Sequence, residues 1–187
     1  MKQLRQFIQE KLQISKDDKI KPKYIVKDRN ELFRIMKKRI MKDPNSSFND
    51  LDIKNITDLS WLCRSLPLKT ANIDISEWNV SQVTDMHYSF CGLENFNCDL
   101  SKWDISNVKD FENCFKECTN FEGKDLSKWK FNQNVECVTQ MFMGCENLNF
   151  DASKWKFPKD CDTYYMFLDC NKMKKYPSWY PENEKYS

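Results

Sequence analysis

The sequence predicts an α/β repeat fold: a right-handed solenoid of strand-helix units, each about 25 residues long, with an N-terminal helical cap. Three observations predict it. Four tryptophans recur at intervals of 25, 26 and 26 residues, the same residues surround each of them, and two apolar periodicities alternate within each interval. The tryptophans are Trp78, Trp103, Trp129 and Trp155.

Residues 1–48 differ from the repeats and form the predicted basic helical cap. An amphipathic stripe predicts a first helix with the apolar residues Leu4, Phe7, Ile8 and Leu12. Residues 24–26 predict a short strand. Asp28 and Glu31 have the spacing of a capping box, which indicates the start of a second helix. That helix carries the apolar residues Leu32, Phe33, Met36, Ile40 and Met41.

Charge is distributed unevenly along the chain. Residues 1–43 hold 14 Lys or Arg against 6 Asp or Glu, whereas the remainder holds 16 against 22. Five basic residues crowd the second helix, Arg34, Lys37, Lys38, Arg39 and Lys42. A solvated helix face explains such a cluster most simply, and the alternatives are contact with nucleic-acid phosphates or with an acidic protein surface.

Residues 49–173 hold five copies of the unit. Four copies begin with the pattern Asp-x-Ser-x-Trp, at Asp74, Asp99, Asp125 and Asp151. The first copy is degenerate and has Leu51 at the place of the tryptophan. Imperfect outer copies are expected because a terminal repeat has a neighbour on one side only.

Each unit combines strand and helix periodicity. Phe96, Cys98 and Leu100 alternate with polar residues, which predicts a strand over 96–100. Apolar residues at i, i+3, i+7 and i+10 then predict a short helix that starts near Val108 and ends near Cys118. A single unit cannot bury both faces, so the strands and helices of neighbouring copies are expected to pack on one another.

The residues that recur from copy to copy are interpreted as structural ladders. Besides the four tryptophans, these are Phe90, Phe115, Phe142, Phe167, Cys118, Cys145 and Cys170. Leu93 takes the place of the cysteine in the second copy, and a position that accepts Leu or Cys is an apolar core position. Exposed stacking platforms are the alternative interpretation of the tryptophans.

The pattern Asp-Leu-Ser-x-Trp-x-Ile/Val-Ser-x-Val, followed by an aromatic segment that ends in Phe-x-x-Cys, resembles the BspA-like leucine-rich-repeat family and the mycoplasma-type lipoprotein repeats of unassigned function. The resemblance covers roughly residues 50–173. It implies a leucine-rich-repeat-like fold used for adhesion or protein recognition. The chain departs from the secreted members because its start, Met1-Lys-Gln-Leu-Arg, has no apolar signal core.

The aspartates that open the copies are expected to form a row. In one interpretation each carboxylate accepts hydrogen bonds from the backbone or from the neighbouring serine. In the other, the row and the polar positions beside it bind a basic partner or a cation. The candidate partner-binding residues on this surface are Asn97, Asp99, Asn149 and Asp151.

The sequence predicts no metal site, no cofactor and no catalytic residue. Its nine cysteines include no CxxC pair, its three glycines argue against a phosphate-binding loop, and His87 is the only histidine. The number of thiols and the absence of a signal sequence favour a reducing compartment, hence the cytoplasm.

Residues 174–187 are rich in aromatic residues and proline. They are expected to cover the open edge of the last repeat, and a linear binding motif is the alternative.

Together these features predict a non-enzymatic protein-recognition module with a protein partner. A phage or mobile-element protein that binds and inhibits a host defence complex is the suggested setting, with the host cytoplasm as its location. One alternative is binding of nucleic acid or a ribonucleoprotein through the basic N-terminal helices. Another is a surface adhesin or a virion component.

Overall fold

The computed structural model describes residues 24–63, 66 and 69–181. Regular secondary structure in these residues is sparse. It comprises the strand β1 (Tyr24–Ile25), the helix α1 (Arg29–Ile40), the strand β2 (Leu51–Asp52) and a 3-10 turn at Leu126–Lys128. The two strands pair in parallel, with Tyr24 opposite Leu51 and Ile25 opposite Asp52. Within the described residues, no helix has the length and apolar character needed to cross a bilayer.

The predicted strand-helix solenoid is wrong. Residues 96–100 form no strand, and residues 108–118 form turns instead of a helix. The described part of residues 49–173 contains no α-helix, and β2 is its only strand.

Left-handed residues explain why residues 108–118 form no helix although their apolar spacing is that of a helix. In the third copy, the N–H of Cys114 donates to Phe111 O and that of Cys118 to Phe115 O, and each bond closes a single turn. Asn113 and Glu117 have φ values of 53° and 59°, so a left-handed residue interrupts the backbone every four positions. Successive turns therefore place apolar residues three or four apart, as a helix would.

The period of the sequence appears in the backbone hydrogen bonds. Every second N–H of residues 111–117 donates to a carbonyl of residues 137–143, at 2.7 to 2.9 Å. Residues 86–92 donate in the same way to residues 110–116. Isolated parallel bridges join the same segments at Asp58–Asp85, Asp85–Asp110, Asp110–Cys137 and Cys137–Asp162. Neighbouring copies are thus joined by backbone contacts without forming a regular sheet.

One buried hydrophobic cluster runs through the described chain from Val26 to Tyr180. The rings of Phe90, Phe115, Phe142 and Phe167 form its central row. Successive ring centroids lie 5.4, 5.6 and 5.9 Å apart, with interplanar angles of 12°, 6° and 5°. Offset-stacked rings at this separation contribute packing energy beyond the area they bury.

Helix α1 confirms the predicted second helix and its start. The Asp28 carboxylate accepts the N–H of Glu31 at 2.9 Å, and Glu31 in turn accepts the N–H of Lys27 at 2.7 Å. The helix buries Leu32, Met36 and Ile40. The short strand predicted over 24–26 corresponds to β1, and the first predicted helix, with Leu4, Phe7, Ile8 and Leu12, lies outside the described residues.

The end of the described chain packs on the last copy. The indole N–H of Trp179 donates to Ala152 O at 3.3 Å, and Tyr180 is buried with its hydroxyl oxygen accepting the N–H of Phe167 at 3.3 Å. Trp179 therefore contacts a carbonyl one period earlier, as the repeat tryptophans do.

Candidate functional site

The basic residues of α1, with Lys42 just after it, do not form one uniform surface. Arg34, Lys37, Lys38 and Lys42 are exposed, and none of the three lysines pairs with a carboxylate among the described residues. Arg39 differs, since its guanidinium binds the Asp50 carboxylate through two hydrogen bonds of 2.6 and 2.8 Å. Its side chain also lies over the Phe48 ring, 5.6 Å from the ring centroid. Arg39 thus ties the helix to the first copy.

The predicted positions Asn97 and Asp99 are used within the fold. Asn97 Oδ1 accepts the N–H of Glu122 at 3.1 Å, which joins two copies. Asp99 Oδ1 accepts the N–H of Ser101 at 2.9 Å, a turn that recurs at Asp74 and Asp151. Among the described residues, Asp74 is the one aspartate of the Asp-x-Ser-x-Trp pattern that forms a parallel bridge, and its partner is Ser47.

Hydrogen bonds keep these carboxylates ionised. The N–H and hydroxyl of Ser101 lower the pKa of Asp99, and those of Ser153 lower the pKa of Asp151. Burial opposes ionisation of Asp74, but bonds from Ser76, Asn49 and Ser47 outweigh it and lower its pKa.

Asn149 and Asp151 meet in a polar cleft of about 440 Å³. The other lining residues come from neighbouring copies and carry both signs of charge: Glu122, Gly123, Lys124, Asp125, Ser127, Asn147, Phe150 and Lys172. Asn97 and Asp99 do not line it. We call this cleft with its ten lining residues the polar cleft.

Two features shape the polar cleft. Gly123 has a φ of 69°, and an added Cβ would lie 2.7 Å from Leu148 Cδ1, so a larger residue there would be strained and would displace that side chain. A row of side-chain amides leads into the cleft: Asn120 donates to Asn95 Oδ1 at 2.8 Å, and Asn147 donates to Asn120 Oδ1 at 3.0 Å. The row leaves the Asn147 oxygen as its last acceptor at the cleft.

The predicted ladder residues lie in the interior. The four repeat tryptophans are buried, and each indole N–H donates to a carbonyl 28 to 30 residues earlier, at 3.0 to 3.3 Å. The thiols of Cys118, Cys145 and Cys170 do the same at 3.0 to 3.2 Å. These side chains hold successive copies together.

A second group of polar residues is not predicted as a site by the sequence. It lies where the parallel bridges form, and we call it the bridge face: Asp85, His87, Asp110, Glu112 and Cys137. The ligand-type atoms of Asp85, His87 and Asp110 lie within 4.8 Å of one another, and so do those of Asp110, Glu112 and Cys137. The recurrence of Asp58, Asp85 and Asp110 is the sequence signal for this group. It becomes visible when the copies are aligned on these aspartates instead of on the tryptophans.

The backbone holds the bridge face in place. Asp85 Oδ1 accepts the N–H of His87 at 3.0 Å, and Asp110 Oδ1 accepts that of Glu112 at 2.7 Å. His87 Nδ1 also lies 2.7 Å from Asp85 Oδ1. Burial, together with the charges of Asp85 and Glu136, raises the pKa of Asp110, and burial raises the pKa of the Cys137 thiol. Negative charge is therefore concentrated around Asp110.

The family described as "Mycoplasma protein of unknown function, DUF285" has a model that matches residues 27–129 and, again, residues 57–179. The two matches overlap, as an internally repeated chain allows, and together they extend from the start of α1 to the tail. No curated protein and no solved structure matches the chain.

Proposed function

Because the chain belongs to the DUF285 family, a Mycoplasma-type repeat family of unknown function, we propose that it is a non-enzymatic protein-recognition module. The observation that carries the proposal is the polar cleft. It gathers residues of successive copies, including the predicted positions Asn149 and Asp151, into one concave surface.

The chemistry of the polar cleft suits a polar, extended segment of a protein partner. Lys124 and Lys172 can pair with carboxylates of the partner, and Asp125 and Asp151 with its basic side chains. The Asn147 oxygen can accept a backbone N–H, as side-chain amides do in recognition of extended chains.

Charge reversal tests this proposal. The variant Lys124→Glu/Lys172→Glu is compared with Lys130→Glu/Lys156→Glu, whose lysines are exposed, follow the repeat tryptophans and carry the same charge change. Both proteins are used as bait in lysate, with a photo-crosslinking residue at position 149. We expect the cleft variant to capture its crosslinked partner at least about tenfold less well than the parent, and the control variant to match the parent. Equal capture by both variants would contradict the proposal.

Binding of nucleic acid or a ribonucleoprotein is a second candidate, favoured by the exposed Lys37 and Lys38 on α1 and the exposed Lys42 just after it. Retardation of short RNA and DNA at about 50 and 200 mM salt tests it. We expect a steep salt dependence that Lys37→Glu/Lys38→Glu/Lys42→Glu abolishes and that Lys130→Glu/Lys156→Glu/Lys159→Glu leaves intact. Arg39 is left unchanged because its bonds to Asp50 belong to the fold. Absence of binding at the lower salt excludes this candidate.

A specific relationship to the BspA-like proteins, within the wider repeat family, is also a proposal, and it rests on the shared repeat pattern. The leucine-rich-repeat architecture is not part of it, since the copies lack the strand and the helix. A phage origin, inhibition of a host defence complex, a cytoplasmic location, and the adhesin or virion alternative all stay predictions, because the family description names none of them.

A further inference from the structure

The polar cleft breaks the regular repeat at two positions, and each break introduces a lysine. At the start of the fourth copy, Gly123 and Lys124 stand between Glu122 and the next aspartate, whereas one residue stands there in the third copy, at residues 97–99. The N–H of Glu122 donates to Asn97 Oδ1 at 3.1 Å, which fixes the alignment of the two copies. Gly123 is buried and Lys124 is exposed, so the extra residue adds a cation to the cleft.

The second lysine, Lys172, takes the place of an amide. Three asparagines form the row of side chains that leads into the cleft and ends at Asn147. The backbone N–H of Asn147 donates to Thr119 O at 3.1 Å, and that of Lys172 donates in the same way to Glu146 O at 3.0 Å. Lys172 thus continues the row with an exposed ammonium group where the earlier copies have an asparagine.

Two of the three carboxylates in the cleft already have partners within the chain. Lys128 Nζ lies 3.1 Å from Asp125 Oδ2. Asp151 Oδ1 accepts the N–H of Ser153 at 2.8 Å, and the bonds from Ser153 lower the pKa of that carboxyl. The third carboxylate, Glu122, forms no ion pair within the described residues.

The two lysines lack such partners. The side chains of Lys124 and Lys172 form neither an ion pair nor a hydrogen bond in the part of the chain that the structure describes. The charge of Lys124 helps to lower the pKa of Asp99, but it ranks after the bonds from Ser101 and the charge of Lys102. The unpaired charge of the cleft is therefore mainly positive.

We propose, on the basis of the function proposed above for the polar cleft, that the partner segment it recognises is acidic. Asp or Glu side chains of this extended segment pair with Lys124 and Lys172, and a backbone N–H of the segment donates to Asn147 Oδ1. Complementary charge of this kind determines which partners bind and how fast they associate. A basic segment is disfavoured because Asp125 and Asp151, which it would need, are already engaged.

A nucleic-acid strand, the other polyanion, suits the cleft less well. Each nucleotide carries a phosphate, so several phosphates would lie close to Glu122, Asp125 and Asp151 at once. A peptide can instead place neutral residues opposite these carboxylates and acidic residues opposite the lysines. Its spacing of charge is adjustable, whereas that of a phosphate backbone is fixed.

Fluorescence anisotropy with labelled peptides tests the sign of the charge that the cleft selects. The probes alternate serine with either glutamate or glutamine over about ten residues, and the full chain is titrated into each at about 50 mM salt, where surface charge pairs are weakly screened. We expect the glutamate peptide to bind at least about tenfold more tightly than the glutamine peptide.

Variants of exposed residues, which leave the fold intact, locate this binding. Lys124→Gln/Lys172→Gln is expected to weaken binding of the glutamate peptide at least about tenfold, whereas Lys37→Gln/Lys38→Gln on α1, with the same charge change, leaves it unchanged. Lys172→Asn, which gives the last copy the amide of the earlier ones, is expected to weaken binding about threefold to fivefold. Glu122→Gln removes the unpaired carboxylate and is expected to tighten binding about twofold to threefold.

Three results would overturn the inference: equal binding of the two peptides, a loss of binding in Lys37→Gln/Lys38→Gln but not in Lys124→Gln/Lys172→Gln, or tighter binding of a short RNA through the same cleft lysines. Protein recognition by the cleft is judged separately in lysate. It stands if Lys124→Glu/Lys172→Glu loses the crosslinked partner, whatever the peptides do, and it is contradicted if that variant retains the partner.

Discussion

The interior of the repeats and the bridge face share one period but differ in how far their residues vary. The interior repeats the same ring at Phe90, Phe115, Phe142 and Phe167. In each copy a bridge segment begins at the residue that forms the parallel bridge. The residue two positions later differs in every copy: it is Ser60, His87, Glu112, Thr139 and Tyr164 in turn. Interior side chains bond to carbonyls of the preceding copy, whereas backbone N–H groups hold the bridge segments whatever their side chains are. The comparison teaches that the interior specifies the fold, which leaves the bridge face open to specialisation.

The largest expected effect breaks the interior row. Phe115→Ala removes a fully buried ring that stacks between Phe90 and Phe142, at 5.4 and 5.6 Å. We expect the free energy of unfolding to fall by about 3–5 kcal/mol, because the cavity cannot be filled by its neighbours. Urea denaturation measures this. Tyr164→Ala, at an exposed position of the bridge segments, serves as the control and should shift it by no more than about 0.5 kcal/mol.

Removing an indole N–H tests whether the hydrogen bonds between copies add to the free energy of unfolding beyond the packing of the rings. Trp129→Phe removes the indole donor that lies 3.1 Å from Leu100 O, and that carbonyl keeps only the backbone N–H of Trp103. We expect a loss of about 1–3 kcal/mol in the free energy of unfolding, from the lost bond together with the smaller buried ring. Trp179→Phe removes a similar bond from a partly exposed residue, and its smaller loss, below about 1 kcal/mol, provides the comparison. Equal losses would show that burial does not set the strength of these bonds.

The thiols of the interior predict a pH dependence. Burial raises the pKa of Cys98 to about 12 and that of Cys170 to about 12, whereas an unfolded thiol titrates near pH 8.5. The folded state therefore keeps these protons where the unfolded state has lost them. Stability is complete below about pH 8.5 and falls by about 1.4 kcal/mol per pH unit for each thiol as the pH rises toward 12.

Denaturation midpoints between pH 8 and 10.5 measure this dependence. Cys170→Ala, although less stable at pH 8, should lose stability less steeply with pH than the parent protein. A slope that is identical in the two proteins would rule out the contribution of this thiol.

The smallest effect concerns the turn aspartates at the surface. Asp99→Ala removes the acceptor of the Ser101 N–H, and we expect a loss of about 0.5–1 kcal/mol. Bonds from Ser101 lower the pKa of Asp99, so its ionic contribution is present above the unfolded pKa near 3.9 and is lost as the pH falls through the lower, folded value. Glu146→Ala, at an exposed position, is the control and should show no such loss between pH 7 and 3.

Part of this organisation was accessible from sequence. The capping residues Asp28 and Glu31 located the start of α1 correctly, because a cap depends on a few adjacent residues. The tryptophan period likewise located the copies that the backbone bonds join. The strand and the helix within each copy were wrong, because left-handed residues such as Asn113 and Glu117 produce the helical apolar spacing without a helix.

The sites were less accessible. Asn149 and Asp151 are candidates from the sequence as polar positions of the predicted strand face, and both line the polar cleft. Lys172 and Gly123 also line it, although more than 20 residues separate each of them from this pair in the sequence. Arg39 was grouped with exposed lysines because charge alone does not reveal a partner such as Asp50. Cys137 counts in the sequence only as one of the thiols that form no CxxC pair, since its neighbours Asp110 and Glu112 come from the preceding copy.

The second left-handed position of the second to fifth copies suggests a consensus route to thermostability. It holds Gly92, Glu117, Gly144 and Asp169, all with positive φ. Glycine adopts this conformation without steric strain, whereas Glu117 must be forced into it. Glu117→Gly and Asp169→Gly would give these two copies the glycine that the other two already have. Both substitutions leave the residues of the polar cleft and of the bridge face unchanged.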